Sequence, residues 1–88
     1  MILEITTEDF TRLSKKEKEK VFEKFLGVEV NEIVKGSMTN MRYGEYKVRF
    51  DDCGYCRIKI EPTEKGKADI KIYNYAICKW EDEVKKWN

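Results

Sequence analysis

The sequence predicts an α+β fold. An N-terminal helix, continuous or broken into two short ones, leads into a three- to four-stranded antiparallel β-meander and then a C-terminal helix. Residues 43–75 predict the meander, because apolar and polar side chains alternate there in three successive runs. Two N-cap signatures ahead of residue 26 predict the N-terminal helices, and one apolar stripe over residues 77–87 predicts the C-terminal one. At 88 residues the chain is sized for a single domain, 1–88, near the lower limit of what one core stabilises.

Taken in order, Ile2, Leu3 and Ile5 form either a short edge strand or loose packing at the start. Thr6 is a good N-cap with Asp9 at N3, and Ile5 and Phe10 stand where a hydrophobic staple joins N′ to N4. Glu8 and Arg12 are spaced as a favourable i,i+4 pair. Ser14-Lys15-Lys16-Glu17 is itself a capping box. That favours a break after residue 13 and a second helix up to Leu26, because a continuous helix would put Ser14, Glu17 and Lys18 into the apolar stripe. Val21, Phe22, Phe25 and Leu26 are its buried end, Gly27 is the expected stop, and the Lys/Glu block at 15–20 is a solvated face.

Residues 28–34 are ambiguous. Val28 and Val30 alternate with Glu29 and Asn31 as a fourth strand would, but Ile33-Val34 breaks the alternation. Residues 21–34 also resemble a helix-turn-helix weakly, with Gly27 as the turn glycine and the hairpin over 43–61 as a wing. Residues 36–40 read as a loop.

In the meander, Tyr46, Val48 and Phe50 alternate with Glu45, Lys47 and Arg49. Cys56, Ile58 and Ile60 alternate with Arg57, Lys59 and Glu61, and Ala68, Ile70 and Ile72 with Asp69, Lys71 and Tyr73. Period-two alternation sends these sets to opposite faces, one buried and one wetted. Asp51-Asp52-Cys53-Gly54-Tyr55 and Pro62-Thr63-Glu64-Lys65-Gly66-Lys67 are the connecting turns. Beyond them, Ile77, Trp80, Val84 and Trp87 fall on one helical stripe, with acids early and lysines late to suit the macrodipole.

Charge restricts the function classes. Eighteen basic residues oppose 17 acidic ones, so no global attraction to a polyanion is expected, although a local patch remains open. The chain has no histidine, the commonest general base and metal ligand. Ser14 and Ser37 therefore lack an activating partner, no glycine-rich phosphate loop occurs, and catalysis is not expected. The first residues lack a basic n-region, and no apolar run approaches a membrane span. Three cysteines without an export signal suggest reduced thiols and a cytoplasmic location.

Four groups of residues remain as candidates. Cys53-Gly54-Tyr55-Cys56 resembles the CxxC of thioredoxin and glutaredoxin relatives, which implies an attacking thiol at Cys53 and a resolving one at Cys56. The same pair is half of a zinc knuckle, with Cys78 and Asp51 or Asp52 left to complete the ligands. No cofactor is expected, and the simplest reading makes Cys56 a small apolar core residue. The wetted face, with Lys47, Arg49, Arg57, Lys59, Lys71 and Tyr73, fits a nucleic-acid-binding sheet. The hairpin tip, with Asp51, Asp52 and Tyr55, fits an anchor for a protein partner. The leading expectation is a non-catalytic module that binds a protein as a regulator or inhibitor, such as a phage- or plasmid-encoded blocker of a host defence nuclease. Nucleic-acid binding is the alternative and a CxxC zinc or redox protein the second. Self-association is a further expectation for so small a core.

Overall fold

Helix α1 (Thr7–Arg12) ends where the second capping box begins, and α2 (Lys15–Leu26) starts directly after it in the computed structural model, which describes residues 1–34, 44–50 and 54–84. The Thr6 hydroxyl accepts from the Asp9 N–H at 3.1 Å. At Ser14 both halves of the capping box close: its hydroxyl accepts from the Glu17 N–H, and the Glu17 carboxylate accepts from the Ser14 N–H. Gly27 stops α2 in the left-handed conformation at φ 72°, as a C-terminal glycine does. Arg12 pairs with Asp9 at 3.9 Å rather than with Glu8.

Among the described residues six strands form one antiparallel sheet. They are β1 (Ile2–Leu3), β2 (Val30–Val34), β3 (Glu45–Phe50), β4 (Gly54–Pro62), β5 (Ala68–Asn74) and β6 (Lys79–Glu81), in the order β1-β5-β4-β3-β2 with β6 beside β5. Strands β1 and β6 share the outer edge of β5, at Ala68–Asp69 and at Ile72–Asn74 respectively. Strand β2 has an irregularity between Val30 and Glu32, where two of its residues oppose one of β3. This bulge resolves the broken alternation, since one inserted residue returns Ile33 to the face of Val30 and leaves Val34 on the other.

The helices cover one face. Val48, Cys56, Ile58, Ile60, Ala68, Ile70 and Ile72 are buried beneath Phe10 of α1 and Phe22 of α2. Phe10, Phe22 and Tyr46 meet pairwise with ring centroids 5.4–5.7 Å apart, which pins both helices to β3. Each fully buried side chain of this size contributes roughly 1.5–3 kcal/mol. Glu23 anchors the helix-to-sheet connection, its carboxylate accepting from the Val30 N–H at 3.0 Å. At the start of β3, Gly44 has φ 88°, and a Cβ there would lie 2.7 Å from the Ile60 carbonyl oxygen, so only glycine fits.

The structure corrects three expectations. The C-terminal helix is not formed over the described residues: residues 75–78 make a turn and Lys79–Glu81 is a strand. The competing force is the unpaired outer edge of β5, which β6 satisfies with backbone hydrogen bonds that a helix could not offer. Asn74 starts the turn, accepting from the Ala76 N–H at 3.0 Å and donating its amide to the Glu81 carboxylate. Cys78 completes it with φ 53°. Ile77 is therefore exposed in the turn, Val84 alone of the predicted stripe packs against the core, and Trp87 lies outside the described residues. Secondly, the strand count rises from three or four to six. Thirdly, the helix-turn-helix is absent, since its would-be second helix is strand β2. The loop expected at 36–40 lies outside the described residues. No helix among them is long and apolar enough to cross a membrane.

Candidate interaction surface

The sheet face opposite the helices carries all six basic and aromatic side chains expected there. Pairing sorts them into transverse rows. Val34, Lys47 and Arg57 are directly opposed across β2, β3 and β4, and Tyr73 is opposed to Trp80 across β5 and β6. The register Ile58↔Ile72 brings Tyr73 into line with Arg57, whose guanidinium carbon lies 4.9 Å from the Tyr73 ring centroid and 5.4 Å from that of Trp80. The flanking rows carry acids. Glu32, Arg49 and Tyr55 form one, and Glu45, Lys59 and Lys71 form the next. Glu61 and Asp69 are opposed beyond that.

Most of the cations are already held. Arg49 bridges Glu32 at 2.8 Å and Arg57 bridges Glu45 at 3.1 Å. Lys59 and Lys71, directly opposed, share Glu61 at 3.3 and 3.2 Å, and Lys71 also reaches Asp69 and Asp82. Burial alone would raise the Glu61 carboxyl, but hydrogen bonds from Lys71 and Lys59 outweigh it and hold the group below its ordinary range. The Glu61 hydrogen bond correspondingly raises Lys71. Lys47 differs. Among the described residues it has no carboxylate in reach, and its ammonium sits 4.5 Å over the Tyr55 ring.

Tyr55 is not in a separate turn. It belongs to β4, opposite Arg49, and is about half exposed on this same face. Asp51 and Asp52, its expected companions at the tip, lie outside the described residues, as does Cys53. Trp80 is the residue that the periodicity misplaced. Its register opposite Tyr73, with Lys59 4.6 Å from its ring, makes it part of the surface. The signal for it was Asn74 followed five residues later by a short Lys-Trp-Glu run, a turn-and-strand pattern overshadowed by the helical stripe.

Of the cysteines, Cys56 and Cys78 are among the described residues. Arg57 to Glu61 continue β4 as strand, so the helix N-terminus that activates the thioredoxin-type thiol does not follow this CxxC. Cys56 faces the core, and burial pushes its thiol up to about 12. Cys78 is exposed in the turn, and its hydrogen bond raises the Tyr73 hydroxyl above its ordinary range. Among the described residues no three cysteine or carboxylate side chains are placed to hold a metal ion.

Compared with protein families, with curated proteins and with solved structures, the chain matches none.

Proposed function

We propose that this chain is a non-catalytic interaction module that binds a protein partner through the open face of its sheet. The supporting observation is the row Lys47–Arg57–Tyr73–Trp80, an aromatic and cationic surface over which no helix among the described residues packs. Tyrosine, tryptophan and arginine are the residues that dominate binding energy at protein interfaces. The charge arrangement favours a protein over nucleic acid. Arg49, Arg57, Lys59 and Lys71 are each engaged by a carboxylate of the same face, so every phosphate contact would have to displace one. The role of a regulator or inhibitor fits a small module with one such face.

The test is affinity capture with the tagged chain as bait. One stoichiometric protein should be recovered and should persist at about 200 mM salt, where a polyanion bound through several phosphates loses orders of magnitude in affinity. Tyr73→Ala combined with Trp80→Ala should abolish capture while circular dichroism still reports a folded sheet. Recovery of nucleic acid alone, released steeply by salt, would overturn the reading.

A further inference from the structure

The transverse rows of the open face differ in one respect that narrows the partner's chemistry. The flanking rows contain Glu32 on one side and Glu45, Glu61 and Asp69 on the other. The row Val34–Lys47–Arg57–Tyr73–Trp80 contains no carboxylate along its whole length, from β2 to β6. It crosses four inter-strand steps of roughly 4.8 Å, so its span is about 19 Å. An extended peptide advances about 3.3 Å per residue, so about six residues cover that span. The ends of the row are apolar or aromatic, Val34 at one and Tyr73 with Trp80 at the other.

Within this row the two cations are not equivalent. Arg57 is engaged by Glu45 at 3.1 Å and lies within cation–π distance of two rings. Lys47 meets only the Tyr55 ring among the described residues, so it retains the capacity to receive a carboxylate from outside. One available cation set between apolar ends does not suit a polyphosphate chain, which offers a charge at every nucleotide. It suits a peptide with an acid near the end that meets Val34 and apolar side chains to either side of that acid.

We propose that this row receives an extended acidic segment of a partner protein, about six residues long, with a carboxylate on Lys47 and apolar side chains against Val34, Tyr73 and Trp80. The inference rests on the protein-binding reading above and assigns the chemistry of what is bound.

A random hexapeptide library displayed on phage and panned on the immobilised whole chain tests it. Enriched clones should carry aspartate or glutamate beside apolar residues. A synthetic peptide of the enriched sequence should shift the backbone amide signals of Lys47, Arg57, Tyr73 and Trp80. Lys47→Glu should weaken that peptide at least tenfold and Lys47→Arg should largely restore it, while Lys65→Glu in the β4–β5 turn should leave it unchanged. No enrichment, enrichment without acids, amide shifts centred elsewhere, or indifference to Lys47→Glu each overturns the assignment. The two readings fail separately. Capture of a protein that depends on Tyr73 and Trp80 but not on Lys47 sinks only the acidic segment. Binding of single-stranded oligothymidylate along the row, with a steep loss on adding salt, sinks both.

Discussion

Arg57 shows how one side chain of the open face is shared among several partners. Its terminal nitrogen donates to Glu45, while the guanidinium carbon lies 4.9 Å from the Tyr73 ring centroid and 5.4 Å from that of Trp80. Its Nε is buried and has no hydrogen-bond acceptor among the described residues. Exposed cation–π contacts are each worth about 0.5–1 kcal/mol, so Arg57 is held by several modest interactions and not by one ion pair. Cysteine chemistry also divides at this scale. Cys56 lies among Val48 and Ile58 on the core face, and a neutral, inaccessible thiol follows from burial. Brief alkylation of the native protein near neutral pH should therefore label Cys78 and spare Cys56 until denaturant is added. Peptide-resolved mass spectrometry checks this, and native labelling of Cys56 would contradict the burial of that face of β4.

At the scale of elements, β4 and β5 carry a problem and its remedy together. Their register opposes Lys59 to Lys71, a like-charge pair that destabilises a sheet, and Glu61 reaches both ammonium groups. Against the burial that would raise it, these lysines hold the Glu61 carboxyl below the ordinary 4.5. A carboxyl lowered in the folded state contributes stability that is present above its unfolded value. That stability is lost as pH falls through the folded one. Glu61→Gln should thus lower the denaturant midpoint at about pH 6, and the two proteins should converge at about pH 3. A gap that stays constant down to that pH would show that the carboxylate's charge is not what matters. The β5–β6 hairpin is the other lesson at this scale. Residues 77–84 have helical periodicity, yet the chain there turns and pairs with β5, because a local pattern is weaker than an unfilled sheet edge.

For the whole molecule, the arrangement places β4 at the centre of the sheet between β5 and β3, all three with pairing partners on both sides. Helices cover one face and the charged grid occupies the other. Amides of Ile58, Ile60, Ile70 and Ile72 should accordingly exchange slowest, at rates approaching global unfolding. Those of β2 and β1, at the outside of the order, should exchange faster. Native-state hydrogen exchange checks this ranking, and slow exchange confined to α2 would overturn it. Much of this was legible beforehand. Thr6, Ser14 and Gly27 mark helix ends through hydrogen bonds within a few residues of themselves, and those ends are where they were expected. The faces of the three central strands were also readable, because side-chain alternation is a property of the strand alone. The strand at Val30–Val34 was obscured by its bulge, and Trp80 by a stripe that fits a helix equally well.

What the sequence determined by itself is therefore which side chains face the core and which face outward in the central strands, and where both helices begin and stop. These depend on spacing along the chain and on caps that act locally. Tertiary structure alone decided that β6 pairs with β5, and so that Trp80 joins Tyr73, Arg57 and Lys47 in one row. That outcome depends on which backbone edge is left to fill once β4 and β5 have paired, and no periodicity within residues 77–84 encodes it.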